Sequence, residues 1–316
     1  MQTVLHLWYN QAMKIQSLSV VVPNKGCINK CPFCVSRMVN SDKYENRMDI
    51  NHPHYDINVR EYLKRLRYVA DNGCQTLMLT GTSEPQQNRQ FLATFALLHQ
   101  QIGSPFTNIE MQTTGVMLQD NPDYLRFLRN FVGVNTVALS VNSISDEMNR
   151  SILGTNYELE IPRLCGQLKD YDFNIRICCN LTKQFDVDGN DWADIFSHLK
   201  VACGCDQITF RKMYCSNPLL DQGRWLTRNE FPKEREAALV RFLDGDNPFE
   251  DTGNIGLLRI GQTMYGATIY DYQGISVIYD RDCMGKNPET DVKKYLILRP
   301  NCKLYSQWDS TSSLVF

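Results

Sequence analysis

Three features of the 316-residue chain predict an α/β fold: six short apolar or β-branched runs, longer segments of helical periodicity between them, and a change of rhythm after Arg211. The runs are Leu18 to Val22, Thr76 to Thr80, Ile109 to Thr113, Thr136 to Val141, Asn174 to Cys179 and Gln207 to Phe210. Helical periodicity marks Val59 to Asp71, Asn88 to Gln101, Asp123 to Asn130, Leu159 to Tyr171 and Asp191 to Val201. Apolar positions three and four apart, such as Tyr62, Leu66 and Val69, give each helix an inward face. Strand and helix alternate from Leu18 to Lys212 without a chain reversal. Such an order calls for parallel strands with right-handed crossovers, in a doubly wound sheet or an open piece of a βα barrel.

Beyond Arg211 a polar loop is expected through Pro218 and Gly223, then a helix near Asn229 to Leu243. Turn-separated runs follow at Ile255 to Ile260, Tyr265 to Tyr270, Ile275 to Tyr279, Tyr295 to Leu298 and Lys303 to Tyr305, a pattern of antiparallel strands. Pro300 and Asn301 suit the turn between the last two. The expected division is residues 1–216 as the βα part and 217–316 as a C-terminal α+β antiparallel cap.

A 43% apolar and 22% charged composition excludes disorder and collagen. Thirty-three basic against thirty-five acidic residues give a net charge of −2, which leaves no global field to gather nucleic acid or an anionic membrane. Lys14 is the only Lys or Arg in the first 24 residues, and no run of ~18 apolar residues occurs, so no signal peptide or membrane span is read. A cytoplasmic protein is expected. Its twelve cysteines then read as thiols for metal rather than a disulfide framework.

Cys27, Cys31 and Cys34 fall within eight residues, spaced C-x-x-x-C-x-x-C, directly after the first predicted strand. Soft thiolates on one short loop select zinc or an iron–sulfur cluster over magnesium or calcium. Zinc needs a fourth Cys or His, and no second C-x-x-C or H-x-x-x-H is present; His52 and His54 flank Pro53 in a polar loop. Three unrelated core cysteines are the plainest alternative. A [4Fe–4S] cluster on three cysteines keeps one iron open to a non-protein ligand.

The segment Gly26-Cys27-Ile28-Asn29-Lys30-Cys31-Pro32-Phe33-Cys34 resembles the cluster loop of the radical S-adenosylmethionine (radical SAM) superfamily, including the aromatic residue before the last cysteine. The resemblance implies a partial (β/α)6 TIM-like barrel, with the cluster at the C-terminal ends of its strands. Gly81-Thr82-Ser83-Glu84-Pro85 is similar to the family's Gly-Gly-Glu motif, which receives the SAM amino group; Ser83 departs from the usual glycine. Gln112-Thr113-Thr114-Gly115 and Ser140-Val141-Asn142-Ser143 resemble family segments, the second being the one whose polar side chains meet the SAM ribose and carboxylate. Glu147-Met148-Asn149-Arg150 and Gly154 look familial too. By the same resemblance Arg176 and Asn180 are candidates for the SAM carboxylate or adenine, and Phe33 and Met213 for the adenine. Simpler roles exist for each: Glu84 at a helix N-terminus, Thr114 and Ser143 as caps, Arg176 at a solvated edge, Met213 in a core.

The implied activity is reductive cleavage of SAM at a [4Fe–4S] cluster, an oxidoreductase chemistry fed by an external donor such as flavodoxin or ferredoxin. The resulting 5′-deoxyadenosyl radical would take hydrogen from a small-molecule or nucleotide-like substrate. Catalytic acid and base residues are not readable. Lys30, Arg37, Arg211, Lys212 and Tyr214 are candidates near the strand ends, and Arg211-Lys212 suits an anionic substrate. Peptide modification, RNA modification involving Cys283 or Cys302, and a noncatalytic iron–sulfur or zinc staple are the alternatives. Cys74, Cys165, Cys178, Cys179, Cys203, Cys205 and Cys215 read as small hydrophobes, and the tail as metal-free. Reconstituted protein should hold about four irons per chain. Replacing Cys27, Cys31 and Cys34 together by alanine should remove the iron and the brown chromophore, as iron assay and absorbance would report.

Overall fold

The computed structural model describes residues 14–38, 58–186, 188–215, 217–245, 257–263, 267–281, 292–308 and 310–316. The chain divides into two compact units, one of Met1–Gly26, Ser41–Glu110 and Lys286–Phe316, the other of Cys27–Asn40 and Met111–Gly285.

In the first unit lie β1 (Lys14–Ile15), β2 (Ser17–Val21), α2 (Val59–Asp71), β3 (Thr76–Thr80), α3 (Arg89–Gln101) and the first half of β4 (Asn108–Thr113). The C-terminal β11 (Val292–Lys293), β12 (Leu296–Leu298) and β13 (Leu304–Tyr305) complete it. Its strands run in the order β13-β12-β2-β3-β4, with β1 and β11 forming a separate parallel pair. Four of the five β2 residues are buried, as in a strand covered on both faces. β2 and β3 pair in parallel with Leu18 opposite Leu77. The amphipathic helix α2 buries Tyr62, Leu66 and Val69 and is capped by Asn58, which accepts from the Glu61 amide at 3.2 Å. The last two predicted strands do pair antiparallel across the Pro300–Asn301 turn, Leu298 opposite Leu304. In addition, β12 joins β2 in parallel, Leu296 opposite Leu18, so the tail extends the sheet as well as pairing with itself.

The second unit holds α1 (Val35–Met38), the end of β4, α4 (Pro122–Arg126), β5 (Thr136–Val141), α5 (Asp146–Leu153), α6 (Ile161–Asp170), β6 (Asn174–Leu181), α7 (Trp192–Val201) and β7 (Gln207–Lys212). α8 (Asp221–Arg228), α9 (Lys233–Asp244), β8 (Leu258–Gln262), β9 (Thr268–Tyr272) and β10 (Ile275–Asp280) follow. The strand order is β4-β5-β6-β7-β10-β9-β8. β5, β6 and β7 are parallel, and β8 to β10 form the antiparallel meander expected of the tail. β10 also pairs in parallel with β7, Asp280 opposite Arg211. The six predicted βα strands are therefore β2 to β7, an α/β fold with a largely parallel sheet.

Differences from the sequence expectation are local. The helix predicted over Asp123 to Asn130 continues past α4 as a π-helix over Phe127–Val132 and stops at Gly133, whose φ of 84° suits only glycine readily. A helix, α8, stands where a polar loop is expected at Gly223. Its eight residues are too short to persist alone, and burial of Leu226 supplies what propensity does not. α5 was not anticipated either; Ser145 caps its start and Gly154, at φ 57°, ends it. Among the described residues no helix is long and apolar enough to cross a membrane.

At their C-terminal ends β2 and β3 approach closely: the Val22 amide donates to Thr80 O at 2.7 Å. A Cβ on Gly81 would lie 2.8 Å from Val22 O, a backbone atom that cannot swing away. Gly81→Ala should therefore destabilise the protein by about 1–3 kcal/mol, the usual cost of overpacking. A lower urea midpoint at unchanged slope would register it.

Candidate metal centre and cofactor site

The three cysteines sit on an irregular loop between Gly26 and α1, and each is half-buried. Tertiary bonds hold the loop in place. The Lys30 amide donates to Leu153 O at the end of α5 (2.8 Å), and buried Asn29 donates through Nδ2 to Thr114 Oγ1 past the end of β4 (3.0 Å). Arg37 turns back to donate to Asn29 O at 3.0 Å. Cys27 Sγ accepts from the Asn29 amide at 3.4 Å. Gly154 gives the loop room, since a Cβ there would meet Lys30 Cβ at 3.0 Å. Below the loop Phe33, Ile152 and Leu226 form a buried cluster, packed against Cys31, Val35, Met148, Met213, Leu220 and Trp225. The Phe33 and Trp225 rings lie 5.8 Å apart.

At the C-terminal ends of β5 and β6 stands a buried polar group. Asn180 Nδ2 donates to Asn142 Oδ1 at 2.8 Å, and the Asn142 amide donates to Asn149 Oδ1 at 2.9 Å. Asn149 is wholly buried, yet its Nδ2 has no hydrogen-bond partner among the described residues. A buried donor left in this state is costly unless something else meets it. Ser140 is half-buried on β5, and Ser143 accepts from the Ser145 amide at 3.2 Å.

The Gly81-to-Glu84 segment belongs to the other unit and is stitched to the end of β2. Asn24 donates to Glu84 O (3.1 Å), Gln87 to Gly26 O (3.0 Å) and Asn88 to Pro23 O (2.6 Å). Glu84 is the N-cap residue of a 3-10 turn over Pro85–Gln87, and its carboxylate makes no capping bond there. It is 5% exposed. Thr82 and Ser83 are half-buried, and Ser83 Oγ is a second buried polar atom with no partner among the described residues.

Sequence reasoning thus named Cys27, Cys31, Cys34, Phe33, Met213, Thr114, Asn142 and Asn180 in one unit, and the structure gathers them at strand ends or on the loop they hold. Thr114 anchors the loop rather than capping a helix. Arg176 is the exception: it lies two residues from the start of β6, about 13 Å of strand from Asn180, with Nε donating to Gln207 Oε1 at 2.7 Å. The structure does not bring it to the asparagine group. Asn29, Asn149 and Trp225 were missed, although Asn149 stands in the Glu147-to-Arg150 segment already singled out. Lys30 on the loop and Arg37 on α1 are exposed, and Arg211, Lys212 and Tyr214 are half-buried after or at the end of β7.

Most remaining cysteines are buried, as expected, and Cys215 is exposed. Cys203 differs from the others: a hydrogen bond with Cys165 and, against the cost of burial, another with His198 hold its thiol below the ordinary range. Burial pushes the Cys302 thiol up, and its Sγ rests 3.7 Å from Asn58 O. Cys283, His52 and His54 lie outside the described residues.

Three thiols on one short loop and a backbone amide aimed at Cys27 Sγ fit an iron–sulfur cluster, and in the same unit the orphaned Asn149 amide beside Asn142 fits a polar group of a bound cofactor. Among the described residues no three His, Cys, Asp or Glu side chains gather closely enough for a single metal ion. A cubane holds its cysteines farther apart than one ion does and makes no such demand.

The family model described as the radical SAM superfamily matches residues 21–197. Among solved structures, coproporphyrinogen III oxidase from Escherichia coli, a radical SAM enzyme, is similar at 14% identity with a TM-score of 0.47. The match covers 84% of this chain, which spans only 63% of that one. No curated protein matches.

Removing the Thr114 acceptor should loosen the loop. Thr114→Val leaves Asn29 Nδ2 buried without that bond and should cost about 1–3 kcal/mol. Bleaching of the reconstituted protein by an iron chelator should be faster than in the parent.

Proposed function

The chain belongs to the radical SAM superfamily, and from that premise we propose an enzyme in which Cys27, Cys31 and Cys34 hold a [4Fe–4S] cluster whose fourth iron receives SAM. When bound, the two together supply one-electron cleavage of SAM to methionine and a 5′-deoxyadenosyl radical that takes a hydrogen atom from the substrate. The observation that carries the reading is the loop itself: three cysteines within eight residues, half-buried, on a loop held by bonds from Lys30 to Leu153 and from Asn29 to Thr114.

The chain's own residues bind and orient. Glu84, a buried carboxylate, receives the cationic amino group of SAM, with Gly81, Thr82 and Ser83 shaping the backbone beside it. Asn142 and Asn180, held by each other and by Asn149, offer polar contacts to the ribose and carboxylate, with Ser140 alongside. Phe33 and Met213 give the adenine an apolar wall. Arg176 has no part in this reading, because its position at the start of β6 supports none. The aromatic and aliphatic packing of Phe33, Trp225 and Leu226 excludes water from one side of the loop, where a radical needs protection.

Residues 1–216 carry the cofactor chemistry in this proposal and residues 217–316 shape the substrate side, a division supported by the packing of α8 on Phe33. The substrate is a small, anionic or nucleotide-like molecule, and the electron comes from an external donor such as flavodoxin or ferredoxin. A reducing cytoplasm suits a chain whose twelve cysteines carry no disulfide-framework pattern.

Anaerobic protein given SAM and dithionite should release 5′-deoxyadenosine and methionine, measured by chromatography and mass spectrometry. Cluster-loaded protein that releases neither would overturn the proposal. Glu84→Gln should keep its cluster and weaken SAM binding by roughly ten- to a hundredfold, the worth of a hydrogen bond to a charged group.

A further inference from the structure

The sequence marks Arg211 and Lys212 as cations for an anionic substrate, and the structure moves that charge elsewhere. Lys212, the last residue of β7, is paired: its Nζ lies 3.1 Å from Glu236 Oε2 on α9. The same carboxylate accepts the Tyr279 hydroxyl from β10. Despite the opposing effect of partial burial, Tyr279 and Lys212 hold the Glu236 carboxyl below its usual range. This carboxylate is therefore ionised and already answered by a cation.

Beside it lies a groove of about 420 Å³, lined by Lys233, Glu236, Ala237, Val240 and Arg241 of α9 and by Arg281, which follows β10. Lys233, Arg241 and Arg281 are exposed, and none of the three makes an ion pair among the described residues. Arg281 stands over the Tyr279 ring, 5.3 Å from its centroid, which orients the guanidinium beside the groove. Arg281 also acts on Glu236, but that carboxylate is already paired with Lys212, so Lys212, Lys233, Arg241 and Arg281 outnumber the single carboxylate that lines the groove.

The groove's position ties it to the cluster loop. β7 and β10 are parallel neighbours, so Lys212 and Arg281 both stand at C-terminal strand ends. Met213, one residue past Lys212, packs in the cluster with Phe33 and Cys31. α9 also begins here, without a side-chain cap on its first amides.

We propose that this groove binds the phosphate or diphosphate group of a phosphorylated small-molecule substrate, an inference that takes the radical SAM reading for its catalytic meaning. Two guanidinium forks and an ammonium match the several oxygens and the double or higher charge of a phosphate, whereas a carboxylate brings one charge. A cavity of this size suits a diphosphate. The net charge of −2 offers no general field to track a nucleic-acid backbone.

The test titrates the anaerobic, cluster-loaded full chain with inorganic pyrophosphate by calorimetry, with citrate and a short single-stranded RNA as separate arms. Pyrophosphate should bind, more weakly as salt is raised, and at least tenfold more tightly than citrate; RNA should bind no more tightly than pyrophosphate. An Arg241→Ala, Arg281→Ala double variant should lose at least tenfold in pyrophosphate affinity while its melting temperature, read alongside, stays near the parent's. Arg163→Ala, which removes an exposed cation from α6, should not alter the affinity. No pyrophosphate binding at millimolar concentration, undiminished binding in the double variant, or tighter binding of citrate or RNA would overturn the assignment. SAM cleavage measured on the same parent preparation separates the two readings: cleavage without pyrophosphate binding rejects the groove alone, and binding without cleavage rejects the radical chemistry alone.

Discussion

The candidate site depends first on the parallel registration of β5, β6 and β7. Val141 pairs with Cys179, and Asn180 and Leu181 with Arg211 and Lys212, so the strands reach one edge together. Parallel strands need crossover helices, which return the chain to the opposite edge each time, and polar residues just past successive strands collect on one side. Asn142 and Asn180 meet for this reason, and Met213 emerges beside them. A slip of one residue in β6 would turn Asn180 to the other face and part it from Asn142.

The cysteine loop faces conflicting demands. Its thiols must stay half-open to take an inorganic group, so the loop cannot be ordered by burying itself. It is ordered instead by what it borrows: a carbonyl from the end of α5, a hydroxyl from beyond β4, and a pocket for Phe33 against α8. Both acceptors lie at the end of a regular element, Leu153 O where helix carbonyls lack intrahelical partners and Thr114 Oγ1 just past the last residue of β4. The same ends carry Asn149, whose buried amide still has a donor to offer.

Charge is arranged on the same principle. A chain with net charge of −2 still concentrates cations where β10 joins β7, because that pairing places Arg281 near α9 while Lys212 neutralises the carboxylate between them. Lys212 thus supports a positive groove by removing its one negative charge rather than by facing the ligand.

The sequence by itself determined the elements whose causes are local. Alternating strand and helix periodicity placed β2 to β7, and turn residues placed the tail strands within a few residues. The C-x-x-x-C-x-x-C spacing, lying in eight consecutive residues, marked the loop proposed to hold the cluster. Arg176 stands near the start of β6 and Asn180 near its end, an order the run itself already gave. Only the tertiary structure decided that Thr114 holds Asn29 from 85 residues away, that α8 forms where a loop was expected, and that β10 and β12 join the parallel strands. Local pattern reports the dihedral preferences and inward face of a segment, which its own residues dictate. Which distant segment fills a given pocket or edge is settled by burial and hydrogen bonding across the fold, and a single sequence carries no periodic trace of it.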